Sequence, residues 1–279
     1  METVTNIQAI AIDLDGTMLR SDGTMGDLTR NALSLCRERG IQVIICTGRS
    51  PQAAEPYWKT LDSSGPMVFY NGAAVIDVPS GRLCAGTLVP PDIILGCVEI
   101  SRRRDIHFQA FLSGDRLVYE RERAETALYE GRTGLKGTPF DMKTLFNSRE
   151  GSQQGCIKGM FIADPFILDS VEAELDARFD GRIYRARSHD NYLEVMAVGV
   201  SKGYGLSVAL QLRGIGPEAT VAFGDAENDL PMADAAAWFI APANAIESVK
   251  ARASMIVDSN DAEGPGKFLW QLLQQSPKI

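Results

Sequence analysis

The chain has 279 residues, enough for about two domains at the typical ~150 residues each. Its 45% hydrophobic and 23% charged residues are those of a globular protein and exclude a disordered or fibrous one. Lys plus Arg is 28 and Asp plus Glu is 36, and the resulting formal charge of −8 argues against nucleic acid as a partner held through its polyanionic backbone. From the N-terminus, Ile7–Leu14 is a compact apolar run that ends in Asp-Leu-Asp-Gly-Thr and predicts a strand buried on both faces of a parallel sheet. A helical stripe follows (Leu28, Ala32, Leu35, Cys36) and stops at Gly40. Ile41–Cys46 repeats the buried-strand pattern and runs into Thr47-Gly48-Arg49, after which Ser50 is a natural N-cap with Pro51 at the first helical position. Met67–Tyr70 is a third apolar run, stopped by Asn71-Gly72.

The pattern changes after Pro79. Residues 92–101 carry a helical stripe, and Ile106–Leu112 and Arg116–Glu120 read as strands around a Ser113-Gly114-Asp115 turn. The stretch from Glu122 to Gln154 is polar and assigns no element. Cys156–Ala163 is strand-like, Leu168, Val171 and Leu175 mark a helix, and Arg182–Arg187 and Tyr192–Met196 are short strands. From Val198 the first style resumes. Leu206, Ala209 and Leu210 stripe a helix, and Ala219–Phe223 is a buried strand entering Gly224-Asp225. A helix starts near Asn244 with Ile246, Val249 and Ala253 expected on its buried side. Met255–Val257 is a last strand and Phe268–Leu273 a terminal helix. The economical reading is an α/β protein: a Rossmann-like, doubly wound parallel-sheet core from residues 1–78 and 199–279, with an inserted α/β cap over 79–198.

Five cysteines, odd in number and without a C-x-x-C pair, argue against a disulfide framework or a zinc site. The first six residues lack the cationic start and apolar core of a signal peptide, and no uncharged apolar run reaches the ~18 residues of a membrane span. A cytoplasmic protein without a membrane partner is the expectation. Oligomeric state is not written in the pattern.

Acidic residues stand where buried strands end, which is where open parallel sheets bind ligands. Asp13 and Asp15 follow the first strand, Thr47 the second, and Asp225 and Asp229 the strand at 219–223. Four carboxylates on one rim repel one another unless a cation neutralises them, and hard oxygen ligands suit Mg²⁺. Lys202, opening a helix in Ser201-Lys202-Gly203, adds a positive charge for an anionic group. Carboxylates, a hydroxyl, an ammonium and Mg²⁺ form a kit for phosphoryl transfer.

Asp13-Leu14-Asp15-Gly16-Thr17, Thr47-Gly48-Arg49, Ser201-Lys202-Gly203 and Phe223-Gly224-Asp225-Ala226-Glu227-Asn228-Asp229-Leu230-Pro231-Met232, in this order, resemble the four motifs of the haloacid dehalogenase-like phosphatases. The extended last motif and Ala241–Ala245 resemble the Cof-like branch of sugar-phosphate phosphatases with a large α/β cap. Met18 in place of a leucine and Glu263-Gly264-Pro265-Gly266 depart mildly from the branch. The resemblance implies Asp13 as a nucleophile that becomes an aspartyl phosphate, and Asp15 as acid and then base. It implies Thr47, Gly48, Lys202 and Asn228 around the phosphate, and Asp13, the Asp15 carbonyl and Asp225 on Mg²⁺, with Asp229 orienting the metal site. The implied activity is hydrolysis of small phosphomonoesters, sugar phosphates foremost, with a small phosphorylated metabolite as partner. Phosphomutases of the superfamily also carry the second aspartate, so transfer to a second sugar is an alternative, as is a non-catalytic phospho-ligand sensor.

Gly199-Val200-Ser201-Lys202-Gly203 also satisfies the nucleophile-elbow pattern of serine hydrolases, but both histidines, His107 and His189, precede Ser201, the wrong chain order. His107 and His189 read as structural, and Arg102-Arg103-Arg104 as a solvated helix end. Arg185 and Arg187 share a strand face and are candidate substrate contacts from the inserted module.

Overall fold

The computed structural model describes residues 6–113, 116–148 and 155–275. The leader reading at 1–5, part of the Ser113-Gly114-Asp115 turn and the end of the 122–154 stretch lie outside these residues. The first unit runs through Arg49, resumes over Ala54–Ala85 and again from Ser201; the second holds Ser50–Ala53 and Gly86–Val200. The chain opens with β1 (Ala9–Ile12), α1 (Asp27–Glu38), β2 (Gln42–Ile45), α2 (Pro51–Thr60), β3 (Gly65–Phe69), β4 (Ala74–Val78) and β5 (Arg82–Gly86). The second unit contains α3 (Pro91–Arg104), β6 (His107–Leu112), β7 (Arg116–Tyr119), α4 (Ala124–Thr133), β8 (Gly137–Pro139), α5 (Met142–Asn147), β9 (Cys156–Ile162), α6 (Pro165–Phe179), β10 (Ile183–His189) and β11 (Tyr192–Ala197). The chain then returns with α7 (Lys202–Arg213), β12 (Thr220–Phe223), β13 (Trp238–Pro242), α8 (Glu247–Arg252), β14 (Met255–Val257) and α9 (Gly264–Gln275).

The first unit is built on a parallel sheet of order β14-β13-β12-β1-β2. Chain order reverses beside β1: β2 lies on one side and β12 on the other, so the carboxyl ends of β1, β2 and β12 open onto a topological switch point. All four residues of β1 and of β12 are buried, as expected of strands covered on both faces. The faces differ in bulk. Ala9, Ala11, Ala222 and Ala241 share a core with Leu206, Ala209 and Leu210 of α7, so small side chains let that helix approach the sheet closely. Ser50 caps α2 as expected, its Oγ accepting from the Ala53 N–H at 3.2 Å.

Where strands end differs from the sequence reading. β1 stops at Ile12, and Asp13–Met18 turns away instead of extending the strand. β4 and β5 extend β3 into a three-stranded sheet, so the first unit continues past Pro79, where composition shifts. Ile246, expected on the buried side of its helix, is 46% exposed, because the helix begins one residue later and Val249 faces inward alone.

The second unit carries a sheet of order β10-β11-β9-β6-β7-β8, antiparallel except for β7 and β8. One face (Phe108, Ala110, Leu112, Phe161, Leu193, Val195) packs with Ile93, Ile94 and Cys97 of α3, Leu145 of α5 and Leu168, Val171 and Leu175 of α6. The opposite face buries polar groups: His107 Nε2 meets Gln109 Oε1 at 3.0 Å, and Lys158 Nζ donates to Glu194 Oε1 at 2.7 Å. Arg185 and Arg187 turn to the carboxylates of α6. Arg185 makes two 2.7 Å bonds to Asp176, and Arg187 bonds Asp169 at 2.9 Å and Glu172 at 3.1 Å. Guanidiniums so engaged tie β10 to α6. Arg102, Arg103 and Arg104 end α3 in ion pairs to Glu120, Asp141 and Glu174. Among the described residues no helix is long and apolar enough to cross a membrane.

Candidate active site

The β1, β2 and β12 strand ends bring together residues that are distant in sequence. Ile12 stands opposite Ile45 on one side and Phe223 on the other, so Asp13, Thr47 and Asp225 emerge from neighbouring strands. Asp13 is 4% exposed and its N–H donates to the Phe223 carbonyl at 3.1 Å. Ser201 caps α7 by accepting from the Tyr204 N–H at 3.1 Å, which uses its hydroxyl structurally and fixes where Lys202 begins the helix. Lys202, 2% exposed, donates to Asp13 Oδ1 at 2.7 Å and to Asp229 Oδ1 at 2.6 Å.

Asp229 is fully buried and accepts three hydrogen bonds. Its Oδ2 accepts the N–H groups of Asp225 at 2.9 Å and Ala226 at 3.0 Å, while Oδ1 holds Lys202. Asp225 Oδ1 accepts from Thr17 Oγ1 at 2.6 Å. One carboxylate oxygen from each of Asp13, Asp225 and Asp229 lies within 4.8 Å of the other two. With three hydrogen bonds on Asp229 and one each on Asp13 and Asp225, the latter two are the carboxylates of this trio more open to a cation.

The electrostatics are unbalanced as the residues stand. Burial pushes the Asp13 carboxyl well above its ordinary range, against the pull of Lys202 and with the push of Asp229, Asp225 and Asp15. Burial and the neighbouring Asp229 charge raise Asp225 to about 6. Burial works against the Lys202 ammonium, but the charges of Asp13 and Asp229 outweigh it and hold it protonated. Three carboxylates, two of them buried, thus share one ammonium, and a divalent cation would bring the cluster to neutrality. Hard carboxylate oxygens are the donor set that Mg²⁺ takes.

Asp15 stands apart, its side chain 60% exposed. Arg49 grips it with Nε to Oδ2 at 2.8 Å and Nη2 to Oδ1 at 2.6 Å. The guanidinium lies 4.9 Å from the Tyr57 ring centroid, and the Tyr57 hydroxyl donates to the Gly23 carbonyl at 3.2 Å. Thr47 is fully buried, its Oγ1 accepting from the Arg49 N–H at 3.1 Å. Asn228 is 8% exposed and donates through Nδ2 to Asn71 Oδ1 at 2.9 Å. The segment that follows β13 braces the motifs: Asn244 Nδ2 donates to the Gly16 carbonyl at 2.8 Å, and the Ile246 N–H to the Asp225 carbonyl at 3.0 Å.

Two residues escaped the sequence reading. In the sequence Arg49 is only the end of Thr47-Gly48-Arg49, and Asn71 only a strand stop. Nothing local distinguishes either, since each acts on a partner brought to it by the sheet.

A family profile described as haloacid dehalogenase-like hydrolase matches residues 10–269. The chain is 30% identical to the 5-amino-6-(5-phospho-D-ribitylamino)uracil phosphatase YitU of Bacillus subtilis, over 93% of this chain and 95% of that one. It is 27% identical to the pyridoxal phosphate phosphatase YbhA of Escherichia coli, over 95% and 98%. A haloacid dehalogenase-like hydrolase from Bacteroides thetaiotaomicron superposes with a TM-score of 0.83 at 26% identity, over 95% of this chain and 99% of that one. The chain belongs to the haloacid dehalogenase-like hydrolases, as a Cof-like member. It is a phosphatase of that family.

Proposed function

We propose that the enzyme is a Mg²⁺-dependent phosphomonoesterase of small phosphorylated metabolites, sugar phosphates foremost, that works through an aspartyl phosphate on Asp13. The observation that carries this is the Asp13 carboxylate: it is buried at a strand end, with one oxygen held by Lys202 and Asp225 beside it. In this reading Asp13 Oδ2 attacks phosphorus, and the leaving alkoxide takes a proton from Asp15. Asp15 then takes a proton from water, whose oxygen attacks the same phosphorus, giving inorganic phosphate and free Asp13. A nucleophile buried beside a cation and an exposed proton-transfer group suit these separate duties. Lys202, Thr47, Gly48 and Asn228 would hold the phosphoryl oxygens, and Asp13, the Asp15 carbonyl and Asp225 would hold Mg²⁺, with Asp229 fixing Lys202 and the 225–226 backbone. Bound Mg²⁺ would neutralise phosphate charge as it redistributes.

The relatives act on phosphoesters with unlike leaving groups, a phosphoribitylaminouracil and pyridoxal phosphate. We assign the chemistry to the 1–78 and 199–279 segments and substrate selection to the inserted 79–198 segment. The test is phosphate release from a panel of sugar phosphates, pyridoxal phosphate and p-nitrophenyl phosphate, with Mg²⁺ or with EDTA. Turnover that needs Mg²⁺ and falls at least about 10³-fold in Asp13→Asn, with an unchanged melt, supports the assignment. Residual turnover in Asp13→Asn near that of the wild type would remove Asp13 as nucleophile. Transfer of the phosphoryl group to a sugar hydroxyl with no release of inorganic phosphate would point to a phosphomutase.

A further inference from the structure

The turn Tyr70-Asn71-Gly72, directly after β3, holds three successive residues at positive φ: 53°, 56° and 95°. Such a run costs Tyr70 and Asn71 backbone energy, and persists where the surroundings over-determine it. The surroundings here are the loops of the site. The Tyr70 N–H donates to the Arg49 carbonyl at 3.1 Å and the Asn71 N–H to the Thr47 carbonyl at 3.1 Å. A Cβ on Gly48 would lie 2.9 Å from Asn71 Oδ1, so the side chain of Asn71 fills the space that glycine leaves. A Cβ on Gly72 would lie 1.9 Å from the Ser201 carbonyl oxygen, so the same turn abuts the start of α7, which carries Lys202. Asn71 is fully buried, and its Oδ1 takes the Nδ2 proton of Asn228. That bond fixes the amide of Asn228, whose own Oδ1 is buried with no hydrogen-bond partner. A buried acceptor left open is costly unless a ligand or water completes it.

We propose that Asn71 is a positioning residue for phosphoryl transfer. It locks the Asn228 amide so that its free oxygen is presented to whatever donor fills the site, and it braces the 47–49 loop from behind. This rests on the reading of Asp13 and its neighbours as a phosphatase site. Asn71 itself touches no reacting atom; it acts through Asn228.

The test is a double-mutant cycle with Asn71→Gly, which keeps the left-handed turn without strain while removing the side chain, and Asn228→Ala. Turnover of p-nitrophenyl phosphate is measured with Mg²⁺ beside the melting midpoint. Asn71→Gly is expected to lower kcat/KM about tenfold or more at an unchanged midpoint, and to cost nothing further when added to Asn228→Ala. An unchanged kcat/KM, or a loss that recurs in full in the Asn228→Ala background, overturns the proposal. Should Asn71→Gly fail to fold, Asn71→Ser, which is too short to reach Asn228, takes its place in the cycle. A wild type that turns over no member of the phosphoester panel refutes the phosphatase reading, and the cycle is then read as protection from melting by inorganic phosphate with Mg²⁺. Protection in the wild type that survives Asn71→Gly overturns the proposal there too, as does a wild type that phosphate does not protect.

Discussion

At the scale of single residues, the site separates two kinds of carboxylate by environment. Asp13 is buried with Lys202, whereas Asp15 is exposed and held by both arms of Arg49. Bidentate guanidinium–carboxylate pairing fixes orientation as well as charge, and a lysine cannot reproduce it. Arg49→Lys should therefore lower kcat about tenfold and leave KM nearly unchanged, because Asp15 keeps a cationic neighbour but loses its fixed direction. Steady-state kinetics with p-nitrophenyl phosphate check this; a rise in KM at constant kcat would make Arg49 a substrate-binding group instead. The contact itself was hidden in the sequence. Arg49 and Asp15 lie 34 positions apart, and only the pairing of β1 with β2 brings their loops together.

At the scale of elements, the second unit shows what alternation along a strand misses. β6 and β9 are buried throughout, so neither presents the polar face of a half-exposed strand. On the face away from the apolar core, Lys158 of β9 and Glu194 of β11 are each 3% exposed and pair at 2.7 Å, with Lys158 Nζ 4.8 Å from the Phe111 ring centroid. Removing one partner strands a buried charge at a cost of about 3–5 kcal/mol, whereas replacing both by apolar residues of similar size is near neutral. Lys158→Met and Glu194→Leu should each destabilise strongly, and the double substitution should recover most of the loss. Denaturant unfolding of the three variants decides it; a double variant as unstable as the worse single one would show that the pair is not the source. The polar stretch at 122–154 was illegible for a related reason. α4, β8 and α5 are short, and β8 is held by parallel pairing to β7, a long-range contact with no local pattern.

At the scale of the whole molecule, the chain is two compact units, and the acidic cluster belongs to one of them. A cation that binds only the folded cluster stabilises the unit that holds it, by about 2.7 kcal/mol at a hundredfold excess over its Kd. Mg²⁺ should therefore slow global hydrogen exchange in β1, β2 and β12 and leave β6, β9 and β11 near their values in EDTA. Exchange measured by mass spectrometry with and without the metal tests this, with Asp225→Asn as the variant in which protection disappears. Equal protection of both sheets would mean that Mg²⁺ acts elsewhere or that the units unfold as one.

The sequence alone determined what is local. Buried-strand runs, the Ser50 cap and the acidic residues at strand ends are each set within a few positions, and side-chain periodicity and cap chemistry are local physics. That was sufficient for the α/β class, the parallel core and the placing of Asp13, Thr47 and Asp225 at the ends of neighbouring strands. Tertiary structure decided who meets whom across the chain. It gave Arg49 to Asp15, Asn71 to Asn228 across 157 positions, and Arg185 and Arg187 to the carboxylates of α6. Those partnerships follow from strand order and helix packing, which many sequences satisfy alike, and so no residue carries a local mark of them.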